Sequence, residues 1–350
     1  MTWADPVLKT LFPRFQSIKH RLYPRLKLVL FQKLRPDLQK ITQVYDVLVS
    51  QKKVAQNLGF TPSDLPRYET IRHFINDLLD DETLSNWFHE EIQEIQYHLS
   101  RLKQQPLGKE TIEDATIITA KRDDPEAKYS GYYKDYGWKK DLLIDSHHKI
   151  FLGYQDLEIT ADEAEALTFH LEQFHQMDLS VDKITVDGKY PTYENIAQAK
   201  IDFNTDLFYK PQKNWVHNPK GDLETLSKRY QKYWDHEDFR SDASLWYKLS
   251  FPYRRGDVEY VGAYYRNQHV LQYFQREKHC SRRYRLERNG NEGFNGYVKQ
   301  QMGFETSIPW KGKKHAFKHT TLCLIALNAV ALTRLQHDVT NHLTSVAYLT

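Results

Sequence analysis

The chain has 350 residues, 40% hydrophobic and 27% charged, with a formal net charge of +3. That suits one large globular domain or two to three ordinary ones, and excludes a low-complexity or fibrous protein. Two cysteines, Cys280 and Cys323, exclude a disulfide framework and a CxxC zinc site, so a reducing cytoplasm is the expected compartment.

The first hundred residues read as helix. LKLVLFQKL (26–34) and LQKITQVYDVLVSQKKVAQNL (38–58) repeat apolar residues at spacings of three and four, and Gly59 stops the second run. Tyr68–Leu79 is a further helix, which makes VAQNLGF…RYETIRHFI similar to a helix-turn-helix. Arg67, Arg72 and His73 are its candidate DNA contacts. A plain helical bundle has the same spacing. Asp81–Lys103 carries acids at its start and bases at its end, matching the helix dipole. Asp5, Pro6 and Pro13 interrupt the N-terminus, so no signal peptide is expected.

The texture changes at Pro106-Leu107-Gly108. ETIEDATIITA reads as a strand, KKDLLID (139–145) and IFLGYQ (150–155) as a hairpin around SHHK, and 161–177 as a helix. KITVD (183–187), a short helix at 192–200 and DLFYKP (206–211) follow. His147 and His148 form a pair in the hairpin turn, a position that accepts His without any metal. The order predicts a mixed α/β sheet flanked by helices. Residues 213–280 read as a β-rich insertion whose Trp215, Trp234 and Trp246 serve core packing or stack on an unpaired base. Helices return at Arg288–Met302 and His319–His342. TTLCLIALNAVALT (320–333) is shorter than a membrane span and is expected as a buried helix.

Charge is unevenly spread. Residues 1–40 hold nine Lys/Arg against Asp5 and Asp37, and 270–320 hold eleven against four acids, each a net +7 around an acidic centre at 156–187. Such zones suit a polyanion gripped around a metal site, though solvated helix faces give the same pattern.

Three acids stand out. Asp114 lies in a β-branched stretch, Asp187 ends another with Gly188 behind it, and Glu292 lies on a late helix. Two strand-borne acids and one helical acid are the ligand set that two-metal phosphoryl transfer needs, since carboxylate oxygens suit Mg²⁺. On a helix, Arg288 and Lys299 share the face of Glu292 and bracket it with cations. Gly290, Gly293 and Gly296 weaken that helix and would let a nucleic-acid backbone approach. Asp123, Asp124 and Asp145 are alternatives to Asp114, and Glu287 is a weaker rival of Glu292.

The spacing R-x3-E-x6-K from Arg288 through Glu292 to Lys299 resembles the signature of DDE-type insertion-sequence transposases. In the fuller family form a tyrosine falls at position 285; this chain has Arg285 there and Tyr284 one residue earlier. D-A-T at 114–116 is similar to the family's first-acid motif, and V-D-G-K-Y at 186–190 to its second. The resemblance covers roughly 110–335. It implies an RNase H-like core at 106–212 and 281–350, interrupted by the insertion and preceded by an all-α DNA-binding domain at 1–105. It also implies two Mg²⁺ or Mn²⁺ ions on Asp114, Asp187 and Glu292, with Arg288, Lys299 and Lys189 on phosphates. The implied partners are inverted-repeat DNA ends and target DNA, bound by a homodimer in a prokaryotic cytoplasm. Two other readings remain: a catalytically silent DNA-binding regulator, and a structure-selective nuclease that cuts without joining.

Overall fold

The computed structural model describes residues 19–35, 37–38, 40–191, 195, 198–199, 202–209, 288, 296 and 311–345. The predicted 213–280 insertion, nearly all of the 192–200 and Arg288–Met302 helices, and with them Tyr284, Arg285, Glu292 and Lys299, lie outside the described residues.

The N-terminal helices are α1 (Lys19–Lys33), α2 (Ile41–Ser50), α3 (Lys52–Leu58), α4 (Tyr68–His73) and α5 (Asp81–Arg101). The single helix expected over 38–58 is two, broken at Gln51 (φ −112°, ψ 80°). Just before the break the Ser50 hydroxyl donates to the Asp46 carbonyl at 2.6 Å, a back-bond that bends helices. Gly59, at φ 96°, then closes α3 in the left-handed conformation that glycine tolerates best. The helix expected over 68–79 widens into a π turn at Phe74–Leu78, which lets consecutive Phe74 and Ile75 both be buried. Helix α5 begins on Asp80, whose carboxylate accepts from the Thr83 amide at 2.9 Å. It buries Leu84, Trp87, Phe88, Ile92, Ile95 and Leu99 at helical spacing.

Among the described residues the sheet has six strands: β1 (Thr111–Thr119), β2 (Lys128–Ser130), β3 (Asp135–Asp145), β4 (Phe151–Glu158), β5 (Lys183–Val186) and β6 (Asp206–Tyr209). Strand β3 pairs antiparallel with β1 along one edge, from Thr111↔Asp145 to Thr119↔Gly137. Along its other edge it meets β2 at residues 135–137 and β4 at 138–144. Strands β1, β5 and β6 are parallel neighbours. The result is a mixed sheet, antiparallel on one side of β1 and parallel on the other.

Helix α6 (Ala164–Gln176) covers one face and α7 (Lys313–Gln336) the other. Neighbouring residues of a strand point to opposite faces. Accordingly, Asp141 of β3 meets His170 of α6, whereas Lys140 meets Thr321 of α7 at 3.0 Å. Ile118 and Trp138 pack with Ala316 on the α7 face.

Helix α7 starts earlier and stops earlier than the expected His319–His342. The Asp124 carboxylate accepts from the Gly312 amide at 2.7 Å and the Glu126 carboxylate from Lys313 at 2.7 Å, fixing the start. Asp338 at φ 59° prevents continuation beyond the end. By length and composition α7 is apolar enough to span a membrane, but 89% of its apolar window is buried in the protein. It is a core helix, packed against α5, α1 and β4, and the N-terminal helices and the sheet share one hydrophobic core through it.

Candidate active site

The ladder between β1 and β5 ends at Glu113↔Val186, so one residue further Asp114 and Asp187 stand side by side on adjacent parallel strands. Strand neighbours lie about 4.8 Å apart. Asp187 closes a turn: its carboxylate accepts from the Gly188 amide at 2.6 Å and its carbonyl from the Tyr190 amide at 3.1 Å. Arg288 reaches the same carboxylate, with Nη1 3.1 Å from Oδ1. Three motifs far apart in the sequence therefore meet at one point.

Burial pushes the Asp114 carboxyl up to about 7. The Arg288 guanidinium opposes that rise, and the negative charges of Asp141, Asp187 and Glu163 add to it. A carboxyl so placed is about half protonated at neutral pH, and added positive charge would ionise it.

Lys189 is exposed two residues past Asp187. Its Nζ lies 4.2 Å from the centre of the Tyr132 ring and 3.9 Å from Glu163. Arg72 is exposed on α4 and pairs with Glu69 of its own helix at 3.0 Å. The alternatives to Asp114 have structural duties. Asp123 pairs with Lys311, Asp124 caps α7, and Asp145 accepts from the amides of Gly108, His147 and His148. His148 is buried, with Nε2 2.8 Å from the Gln105 carbonyl.

The opposite face of the same strands carries a cluster that sequence reasoning missed. Ala115 pairs with Asp141, so Asp141 shares a face with Glu113. Together with His170 of α6 they bring one donor atom each to within 4.8 Å of one another, and all three are buried. His170 Nε2 lies 3.1 Å from Asp141 Oδ1, and the Tyr190 hydroxyl donates to Asp141 Oδ2. Such a set can hold a metal ion. The predicted set of Asp114, Asp187 and Glu292 has only its first two members among the described residues. What brings the missed cluster together is the antiparallel register of β1 with β3, which sets Asp141 opposite Ala115.

No family model matches the chain, and no curated protein matches it. Among solved structures, it is similar to a piggyBac transposase in a synaptic complex with hairpin DNA, at a TM-score of 0.44 and 12% identity. That overlay covers 93% of this chain and 71% of the other.

Proposed function

We propose that the chain is a DNA transposase of the DDE type, cutting and joining the ends of an insertion sequence. The observation that carries this reading is the meeting of Asp114, Asp187 and Arg288. Asp114 and Asp187 are lateral neighbours, and the arginine that opens R-x3-E-x6-K is already ion-paired to one of them. A sheet with antiparallel strands on one side of β1 and parallel strands on the other suits the RNase H-like core that the resemblance implies.

The residues present fit a divalent cation. Both carboxylates are hard oxygen donors, and Asp114 is raised first by burial and then by the acids around it, a rise that the Arg288 guanidinium only partly offsets. Asp114, Asp187 and Glu292 would hold Mg²⁺ or Mn²⁺, which when bound supplies Lewis acidity toward the attacking and leaving oxygens. The chain's own groups do the rest. Asp114 gives up its proton as positive charge arrives. Arg288 exchanges its carboxylate partner for a phosphate oxygen beside the scissile bond, and Lys299 and Lys189 hold flanking phosphates. Water is the first nucleophile, and the freed 3′-OH is the second.

The test is cleavage of a labelled duplex carrying the element's end, in Mg²⁺, Mn²⁺, Ca²⁺ or EDTA, with wild type, Asp187→Asn and Glu292→Gln. Nicking and joining that need Mg²⁺ or Mn²⁺ and vanish in both variants, with end-binding retained, support the proposal. Tight binding without cleavage in every condition leaves a regulator, and cleavage without joined products leaves a nuclease.

A further inference from the structure

Behind the proposed active site, on the face under α6, two carboxylates are shut away from water. Asp141 is 0% exposed and Glu113 1% exposed. Burying ionised acids is costly unless positive charge joins them. The two nearest lysines on β3 are committed elsewhere. Lys139 pairs with Glu163 at 2.9 Å and donates to the Ala161 carbonyl, and Lys140 points to the other face, where it pairs with Asp156. Asp141 does receive the Tyr190 hydroxyl and sits against His170 Nε2. Glu113 is different: apart from the Asp141 carboxyl beside it, no donor group reaches either of its carboxyl oxygens. It is a fully buried acceptor aimed at an imidazole and a second carboxylate, and His170 Nδ1 is also unpartnered.

We infer that Glu113, Asp141 and His170 form a second metal site, which takes one first-row divalent ion as a structural clamp between α6 and the sheet. Two carboxylates and a dication are together neutral, which removes the burial cost of the acids. One imidazole among carboxylates favours ions of the Zn²⁺ and Mn²⁺ kind over Mg²⁺ or Ca²⁺. Donor atoms on a tetrahedral ion with bonds of 2.0–2.2 Å stand roughly 3.4 Å apart. The cluster, with its donors inside 4.8 Å and one pair at 3.1 Å, closes to that by small side-chain rotations. The Tyr190 oxygen, already on Asp141, is available for the fourth position. This site is separate from the one formed by Asp114 and Asp187, and it stands whether or not the chain is a transposase.

The experiment is to refold the full chain in ZnCl₂, remove free metal by gel filtration, and measure bound zinc by mass spectrometry and X-ray absorption. Wild type, Asp187→Asn, His170→Gln and Glu113→Gln are compared. The expected result is one retained zinc per chain with an imidazole in its coordination shell, in wild type and in Asp187→Asn alike. His170→Gln and Glu113→Gln lose it, and chelation lowers the melting temperature of the wild type but not of these two. Glu113→Gln is nearly isosteric and keeps an amide that can still meet Asp141, so it decides the question if His170→Gln fails to fold. No retained zinc in the wild type, zinc retained in Glu113→Gln, or zinc lost from Asp187→Asn would each overturn the assignment.

Discussion

Replacing Asp114 by Asn removes a charge that the folded chain resists. The carboxyl ordinarily loses its proton near 3.8, and in the fold it keeps it to about 7. Between those values the native state binds a proton that the unfolded chain has released, so native stability falls as pH rises through that window. Each pH unit is worth about 1.4 kcal/mol, and the whole interval about 4 kcal/mol as an upper bound. Asn is nearly isosteric and does not ionise. Its advantage over Asp should therefore be near zero around pH 4, grow by up to about 1.4 kcal/mol per unit, and level off above about pH 7. The assay is urea unfolding of both proteins from pH 4.5 to 8.5 in EDTA. Repeating it in Mn²⁺ should shrink or reverse the advantage, because a cation stabilises the ionised Asp and not the amide. A difference that stays constant with pH would refute the reasoning, and so would one that grows toward acid.

Arg288→Ala should weaken binding to duplex DNA of any sequence and reduce the slope of log affinity against log salt by about one, as loss of one phosphate contact requires. An unchanged slope in a filter-binding titration would remove Arg288 from the interface. Gly153→Ala would place a methyl carbon 2.6 Å from His170 Nδ1, so the ring must move. The expected cost is roughly 1–3 kcal/mol in urea unfolding, and an unmoved midpoint would mean that α6 is not seated as described. Lys140→Met leaves Asp156 without its buried counter-charge and should cost about 3–5 kcal/mol. Lys140→Met with Asp156→Leu should recover much of that loss, and no recovery would mean that the pair is not the cause.

Five of the six described strands were legible because their side chains alternate or are β-branched over short runs; β2, three residues in a stretch that reads as a loop, exists only through its pairing with β3. The stretch read at 139–145 falls within β3, 150–155 overlaps β4 from its second residue on, KITVD coincides with β5 but for its last residue, and DLFYKP begins with β6. The helical breaks were not legible. Periodicity continues through Gln51, since Ile41, Val44, Leu48, Ala55 and Leu58 keep helical spacing, yet the backbone leaves the helix there just after the Ser50 back-bond. The start of α7 was set by Asp124 and Glu126, nearly 190 residues upstream, a distance at which local pattern carries no information. The same holds for the duties of Asp123, Asp124 and Asp145, which looked as suitable as Asp114 until their partners across the chain were known.

The two acid clusters show where reading by residue type stops. Glu113 and Asp114 are adjacent and chemically alike, and a motif selects Asp114 alone. Strand geometry sends them to opposite faces, so each acquires a different partner. Asp114 stands beside Asp187 under the influence of Arg288, while Glu113 turns inward to Asp141 and His170. Tyr190 joins the two sides. Its amide closes the turn on Asp187 and its hydroxyl holds Asp141, so a shift of the buried cluster must be felt at the Asp187 turn. One perturbation therefore tests both faces. Tyr190→Phe keeps the ring in the core and deletes only the hydroxyl, which costs about 1.5–3 kcal/mol if the Asp141 carboxylate merely loses one hydrogen bond. A larger loss, accompanied by a changed pH profile of the Asp114 advantage, would show that the two sides of the sheet act as one unit.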